Sequence, residues 1–249
     1  MRTTAFAAAI ACIVGAGVIC PGARAGDSVD LLLVLAADVS RSIDETEFNL
    51  QRKGYAAAIT DPRVLRAIVG GRNHAIAVTF IEWSGAADQN VVVDWTVVRD
   101  EEAAGGVAAT MLAAPRSFLG RTSISAVIDF AMERFAAAPA ESDKRIIDIS
   151  GDGTNNAGRA LTEARDQAVA AGVTINGLAI INTQANPGYA FHTQPPGGLP
   201  KYFEENVIGG QGAFLFEVDN FGTFAEAITR KLVTEIAATP PQRKTAALP

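Results

Sequence analysis

The sequence predicts an α/β fold: a Rossmann-like, doubly wound, mostly parallel sheet of six strands with helices on both faces. Three observations predict it. Short apolar runs alternate along the chain with longer segments of helical periodicity. The first run, residues 29–37, hardly alternates between apolar and polar residues, which is typical of a strand buried on both faces. Only a short polar turn separates the second run from the third, as in an antiparallel hairpin.

Six apolar segments predict the strands. They are short, rich in Val, Ile and Leu, and bounded by Gly, Pro, Asn or Asp. The polar turn 85–90 joins the second segment to the third. In chain order, the predicted strands are residues 28–38, 74–83, 91–98, 145–150, 173–181 and 213–218.

Six further segments predict helices. The clearest carries Ile124, Val127 and Ile128 on one side, at the spacing of a helical face. Asp61-Pro62 breaks the first helix, and Gly172 closes the fifth. The predicted helices are residues 44–60, 64–69, 101–112, 122–137, 161–171 and 221–237. Residues 182–212 contain four prolines and predict a long loop, with one helical turn at 201–207.

The first 25 residues read as a secretory signal peptide. Arg2 precedes an apolar stretch, and Ala23-Arg24-Ala25 is a small-x-small cleavage site. We therefore expect an exported protein, periplasmic or secreted, with no membrane span after cleavage. One domain is expected over residues 26–238, with a flexible tail at 239–249.

The composition narrows the classes of partner. The formal net charge is −6, and it becomes −8 once Arg2 and Arg24 are removed with the signal. This acidity argues against nucleic acid or an anionic membrane surface as partner. Both cysteines, Cys12 and Cys20, lie in the signal segment, so the mature chain has neither disulfides nor thiolate chemistry.

A group of oxygen-bearing side chains follows the first strand directly. Asp38, Ser40 and Ser42 stand where this strand gives way to a helix, and ligands bind at that edge of an open α/β sheet. Hard oxygens without His or Cys favour Mg²⁺, Mn²⁺ or Ca²⁺. Ser42 and Glu45 also have the spacing of a capping box, which predicts that Ser42 is the helix N-cap.

Asp38-x-Ser40-x-Ser42 resembles the first segment of the metal-ion-dependent adhesion site (MIDAS) of von Willebrand factor A (VWA) domains. Two further segments complete the resemblance in the expected order: Thr122, in a turn that opens a helix, and Asp152, after a buried strand. The stretches 150–156 (Ser-Gly-Asp-Gly-Thr-Asn-Asn) and 175–180 (Ile-Asn-Gly-Leu-Ala-Ile) are similar to a family of exported bacterial VWA-like proteins with no assigned function.

The resemblance implies a binding module and not an enzyme. Ser40 and Ser42 would be direct metal ligands, Thr122 the third, and Asp38 and Asp152 would act mainly through waters. Mg²⁺ is the first expectation for the cation, with Mn²⁺ or Ca²⁺ as alternatives. The partner would be a protein or peptide that offers an Asp or Glu carboxylate. The resemblance also places the third strand at the sheet edge, antiparallel to its neighbour.

Other residues are candidates for contact with that partner. Arg41 lies between the two serines, and Trp83 falls where the second strand reaches the same edge. Tyr189, Phe191 and His192 lie in the long loop, which leaves that edge after the fifth strand. Two groups outside this set also need a role. Asp148 stands inside an apolar strand and predicts a buried structural partner, while Asn155-Asn156 predict a cap for the next helix or a support for Asp152.

Three other readings remain open. The segment 151–156 superficially resembles a motif of haloacid-dehalogenase-like phosphatases, in which Asp38 would be the phosphorylated nucleophile. That family usually has a second Asp two positions later, where this chain has Ser40. A dinucleotide-binding protein would need a G-x-G-x-x-G turn, which the first strand–helix junction lacks. The last reading is a structural VWA domain with a vestigial site.

Overall fold

Strands and helices alternate along residues 27–181, 190–219 and 221–237, which are the residues that the structure, a computed structural model, describes. The strands are β1 (Asp27–Ser28), β2 (Leu32–Asp38), β3 (Ile76–Trp83), β4 (Gln89–Val98), β5 (Ala140–Glu141), β6 (Arg145–Gly151), β7 (Thr174–Ile180) and β8 (Leu215–Val218). The helices are α1 (Glu45–Ile59), α2 (Pro62–Val69), α3 (Glu101–Ala113), α4 (Ile124–Ala136), α5 (Leu161–Ala170), α6 (Ala190–Thr193), α7 (Leu199–Asn206) and α8 (Phe224–Ala237).

The main sheet has six strands in the order β4-β3-β2-β6-β7-β8. Every neighbouring pair is parallel except β3 and β4, which form the antiparallel hairpin at one edge. The predicted fold class is therefore confirmed, including its antiparallel edge strand. Strands β1 and β5 pair separately in a small two-stranded sheet. The sequence did not predict this pair, because two-residue strands carry no apolar pattern.

The central strand β2 is buried on both faces, as its continuous apolar run predicts. Its odd-numbered residues, including Leu33 and Leu35, pack against α1, α2, α3 and α8. Its even-numbered residues, including Val34 and Ala36, pack against α4, α5 and α7. A fully buried Leu or Val contributes about 1.5–3 kcal/mol to stability, so the burial of this strand is a large part of what stabilises the fold.

Strand β6 carries a buried acid, Asp148, as the sequence indicated. The Lys231 Nζ atom on α8 lies 2.7 Å from Asp148 Oδ1, and Glu235 pairs with the same ammonium group. All three side chains are fully buried. Burial raises the pKa of Asp148 to about 7, Glu235 adds to the rise, and Lys231 opposes it. The predicted structural partner of Asp148 is confirmed, and it anchors the last helix to the sheet.

Four of the six predicted helices begin one to three residues from their predicted starts: α1, α2, α4 and α8. The starts of α1 and α4 concern the candidate site. Asp44, not Ser42, is the N-cap of α1: its Oδ1 accepts from the Glu47 backbone N–H at 2.8 Å, and the Glu47 carboxylate accepts from the Asp44 N–H at 2.8 Å. Helix α4 begins at Ile124, two residues later than predicted. Ser123 is its N-cap, and the Ser123 Oγ atom accepts from the Ala126 N–H at 3.3 Å. Both shifts release a site hydroxyl, that of Ser42 or of Thr122, from a capping role.

The long loop contains more helix than the single turn predicted at 201–207. Helix α7 starts at Leu199, and the short α6 precedes it. The predicted signal peptide at 1–25, the tail at 239–249 and Tyr189 lie outside the described residues. Within the described ranges, no helix combines the length and apolar character needed to cross a membrane.

Candidate metal centre

The carboxyl ends of β2 and β6 bring two acids together. These strands are parallel neighbours in which Ala37 pairs with Ser150, so Asp38 and Asp152 reach the same edge of the sheet. Ser42 Oγ donates to Asp152 Oδ1 at 2.6 Å, and it lies 3.2 Å from Ser40 Oγ. Asp38 Oδ1 accepts from the Ser40 backbone N–H at 2.7 Å, which holds the turn between them.

Thr122 enters the same site from the turn before α4. Its backbone N–H donates to Asn156 Oδ1 at 3.0 Å, and its carbonyl accepts from the Asn156 N–H at 2.8 Å. Asn155 Oδ1 accepts from the Ser125 N–H at 3.0 Å. The sequence predicted that Asn155 and Asn156 cap the next helix or support Asp152. Instead, they bind the Thr122 turn to the segment that follows β6, since the backbone groups of Thr122 and Ser125 need hydrogen-bond partners there.

Thr122 and Ser42 face one small cavity of about 120 Å³. The residues that line it are Arg41, Ser42, Gly120, Arg121, Thr122, Asn156 and His192. Two of the three hydroxyl residues predicted as metal ligands, Ser42 and Thr122, therefore face a common space, and Ser40 Oγ lies 3.2 Å from Ser42 Oγ.

His192, which the sequence predicted only as a contact for the partner, lies against the centre itself. Its Nε2 atom lies 3.0 Å from Thr122 Oγ1, and its Nδ1 atom lies 3.1 Å from Thr154 Oγ1. The ring rests so closely on Gly153 that a Cβ there would lie 2.1 Å from Nε2. The only sequence signal for this contact is the place of His192 in the loop after β7, which returns to the same edge.

The hydrogen-bond network assigns the His192 tautomer. Asn156 Oδ1 accepts from Thr122, so its Nδ2 group faces His192 Nδ1 at 3.3 Å as a donor. The proton of the neutral ring is then on Nε2 and points at Thr122 Oγ1. Burial, together with the Arg121 charge, lowers the pKa of His192 and favours this neutral form. Thr122 Oγ1 accepts with one lone pair and keeps the other for a cation.

An arginine holds the turn that carries the two serines. Arg116 Nη2 donates to the carbonyl oxygens of Val39, Ser40 and Ile43 at 2.8–3.0 Å. The Arg116 side chain is only 10% exposed, so these contacts are shielded from water. They fix the backbone of the turn, and with it the direction of the Ser40 and Ser42 hydroxyls.

Glycine is required on the other side of the centre, at Gly120. A Cβ at this position would lie 2.5 Å from both Asp88 Oδ2 and Ser84 Oγ. The Gly120 carbonyl accepts from the Arg41 N–H at 3.1 Å. This hydrogen bond joins the segment before Thr122 to the serine turn, and the absent Cβ lets the same segment pack against Ser84 and Asp88.

Burial makes the charged form of both acids costly. Burial raises the pKa of Asp38 to about 8, and the charge of Asp152 adds to the rise. Burial likewise raises the pKa of Asp152 to about 6. The outer oxygens, Asp38 Oδ2 and Asp152 Oδ2, are buried and have no hydrogen-bond partner among the described residues. Such groups are costly unless a cation or donor meets them.

These residues fit a hard divalent cation. Three hydroxyls and two carboxylates supply only oxygen, as Mg²⁺, Mn²⁺ and Ca²⁺ prefer. No group of three His, Cys, Asp or Glu side chains suited to a metal occurs in the described part of the chain, so the centre rests on its hydroxyls. The direct ligands of an ion bound here would be neutral hydroxyls, with the charges of Asp38 and Asp152 further from it.

The predicted partner-contact residues divide between surface and core. Arg41 is exposed and lines the small cavity beside His192. Trp83 is fully buried and packs within the α4 side of the core. Since its side chain has no exposed surface, Trp83 is corrected from partner contact to core packing. Phe191 belongs to α6 by its backbone, while its side chain and all of Tyr189 lie outside the described set.

Comparison with solved structures identifies the fold. The chain aligns with proximal thread matrix protein 1 from the mussel byssus, in a form with a zinc-occupied MIDAS motif, at 14% identity and a TM-score of 0.63, covering 85% of this chain and 49% of that one. The pilus adhesin SpaC of Lactobacillus rhamnosus GG aligns at 12% identity and a TM-score of 0.61, covering 84% and 31%.

A von Willebrand factor type A protein from Catenulispora acidiphila aligns at 14% identity and a TM-score of 0.57, covering 84% of this chain and 43% of that one. The chain thus spans half or less of the length of these three structures. No curated protein matches the sequence. A family model described as "Protein of unknown function (DUF1194)" matches residues 28–240. The chain therefore belongs to the DUF1194 family, and its fold is that of a VWA domain.

Proposed function

We propose that this protein is an exported, metal-dependent protein-binding module of the adhesion type. Ser40, Ser42 and Thr122 would hold a divalent cation through their hydroxyls, and Asp38 and Asp152 would hold it mainly through waters. Mg²⁺ is the first candidate, followed by Mn²⁺ and Ca²⁺. When bound, the cation supplies an electropositive position for a carboxylate of the partner, because neutral hydroxyls leave most of its charge unneutralised.

One observation carries the proposal: the buried Asp38 Oδ2 and Asp152 Oδ2 atoms have no partner among the described residues, although the Ser40 and Ser42 hydroxyls are beside them and Thr122 shares a cavity with Ser42. A divalent cation would stabilise both carboxylates in their charged form. Among structures of the same fold, the matrix protein with a zinc-occupied MIDAS supports a cation at this place in VWA domains, and the adhesin supports a binding role.

The geometry gives less support to a phosphatase with Asp38 as nucleophile. The Asp38 side chain is fully buried, and its Oδ1 is engaged by the Ser40 backbone. A nucleophile needs an approachable oxygen and, in that family, an acid two residues later. Ser40 stands at that position and is the weaker proton donor. The binding role is the reading that uses every oxygen of the centre.

The test is a calorimetric titration of Mg²⁺, Mn²⁺ and Zn²⁺ into the mature chain, residues 26–249, and into Thr122→Val. This substitution keeps the shape of the side chain and removes its hydroxyl. Thr234→Val is the matched control, because Thr234 is exposed on α8 and its hydroxyl donates to the Arg230 carbonyl far from the centre. We expect saturable binding in the wild type and control, and at least tenfold weaker binding in Thr122→Val.

Equal affinity in Thr122→Val and the wild type would contradict the assignment of Thr122 as a ligand. Absence of binding in the wild type would favour the vestigial reading. A pull-down from periplasmic extract, with Mg²⁺ or with chelator, then searches for the partner. Proteins retained only with Mg²⁺, and lost in Thr122→Val, are the candidates.

A further inference from the structure

The rim of the small cavity is basic in a protein that is acidic as a whole. The chain has 27 acidic and 21 basic residues. The cavity nevertheless has Arg41 and Arg121 on its lining, together with His192, and no carboxylate. A local reversal of charge at a concave site favours an anionic ligand there.

The two arginines are placed differently. Arg121 is held by Asn156, whose side-chain Oδ1 accepts from Arg121 Nε at 3.3 Å and whose carbonyl accepts from Arg121 Nη2. Arg41 is fixed only through its backbone N–H, which donates to the Gly120 carbonyl at 3.1 Å. Its exposed guanidinium makes no hydrogen bond or ion pair within the described part of the chain. The Arg121 guanidinium is therefore fixed in place, and the Arg41 guanidinium can reorient to bind a ligand.

Three acids stand at the start of α1, next to the serine turn, and Asp88 stands beside Gly120, where its Oδ2 accepts from Ser84 Oγ at 3.0 Å and from the Gly85 N–H at 3.1 Å. Asp44 and Glu47 form the capping box at the start of α1, and Glu45 lies 3.7 Å from Arg116. A ligand with a second negative charge would be repelled on the α1 side. It would be attracted by Arg41 and Arg121, which line the small cavity.

We propose that the partner presents two acidic side chains: one carboxylate for the metal centre and a second anionic group for Arg41 and Arg121. This inference rests on the proposed function and refines its specificity. The cation would bind one carboxylate of the partner. Arg41 then selects, among acidic segments, those that carry a second acid one or two residues away.

The experiment uses two capped peptides as probes, one with a single aspartate and one with two aspartates separated by one glycine. Their binding is measured at saturating Mg²⁺ by calorimetry or by chemical-shift titration. We expect the two-aspartate peptide to bind about two- to five-fold more tightly to the wild type, the range for one exposed ion pair. Added NaCl should reduce this ratio, because the second contact is solvent-exposed.

Arg41→Gln tests the assignment, and Arg66→Gln is its control. Arg66 is exposed on α2, which precedes β3 and lies at the amino end of the strands. We expect Arg41→Gln to bind the two peptides with equal affinity, while Arg66→Gln keeps the preference for the two-aspartate peptide. A ratio of one in the wild type, or a preference that survives Arg41→Gln, would overturn the inference. Loss of Mg²⁺-dependent binding by both peptides would contradict the proposed function as well.

Discussion

Asp38→Asn should stabilise the metal-free protein at pH 7, and Mg²⁺ should reduce this advantage because it stabilises the wild type far more than the variant. In the metal-free protein the pKa of Asp38 is raised from 3.8 to about 8 by burial first and by Asp152 second. The folded state thus holds a proton that the unfolded state releases between these pH values. Metal-free stability therefore falls as pH rises through this window. Asparagine removes the penalty while keeping the shape of the side chain.

The magnitude follows from the window. At pH 7 the medium lies 3.2 pH units above the ordinary value of 3.8, and each unit corresponds to about 1.36 kcal/mol. Asp38→Asn should therefore stabilise the metal-free protein at pH 7 by up to about 4 kcal/mol, and much less at pH 4. With Mg²⁺ at 100 times its Kd, the wild type should gain about 2.7 kcal/mol, whereas the variant should gain almost nothing.

The assay is urea unfolding at pH 4, 5.5 and 7, in chelator and in Mg²⁺. Asp219→Asn is the control, because this aspartate is exposed and its change should stay within about 0.5 kcal/mol. A variant less stable than the wild type in chelator at pH 7 would refute the reasoning. So would a wild-type stability that does not change between pH 4 and pH 7 in chelator.

Three further predictions concern the scaffold and the rim. Lys231→Met should destabilise the protein by about 3–5 kcal/mol in urea unfolding, because it leaves two buried acids without their cation. Its control, Lys201→Met, removes an exposed ion pair and should destabilise the protein by less than about 1 kcal/mol. Equal destabilisation by the two substitutions would show that the buried cluster is not an anchor. Gly120→Ala should weaken Mg²⁺ binding, because its Cβ would lie 2.5 Å from Asp88 Oδ2 and Ser84 Oγ. The control Gly106→Ala has open space around it and should raise the melting temperature by stabilising α3 by about 0.5–1 kcal/mol. Unchanged Mg²⁺ affinity in Gly120→Ala would contradict the close-approach argument. His192→Ala should lower Mg²⁺ affinity about tenfold by releasing Thr122, and a titration with unaltered affinity would show that the ring only covers the site.

The sheet could be predicted from the sequence because its strands are defined by local chemistry. The run in β2 is apolar on both faces, and only a strand between two helical layers buries such a run completely. The hairpin of β3 and β4 followed from one polar turn. The start of α1 could not be predicted, because Ser42 with Glu45 and Asp44 with Glu47 both have capping-box spacing. The contact of Ser42 with Asp152, 110 residues away, decides between them.

The candidate centre also has a part that the sequence predicts and a part that it does not. Asp38, Ser40 and Ser42 are neighbours in sequence, so their convergence follows from one strand end, and Thr122 and Asp152 were placed by the family resemblance. The contact between His192 and Thr122 joins residues 70 positions apart through an irregular loop. No periodicity or spacing encodes such a contact. Trp83 shows the converse error: a strand end at the right edge indicated a surface role, while the packing of α4 buries the indole.

The most direct test of the metal centre is an anomalous difference map from crystals of the mature protein grown or soaked with Mn²⁺. The account predicts one strong peak at the sheet edge, within ligand distance of the Ser40, Ser42 and Thr122 hydroxyls, with Asp38 and Asp152 behind the bound waters. A peak that touches other residues instead, or no peak at this edge at millimolar Mn²⁺, would contradict it.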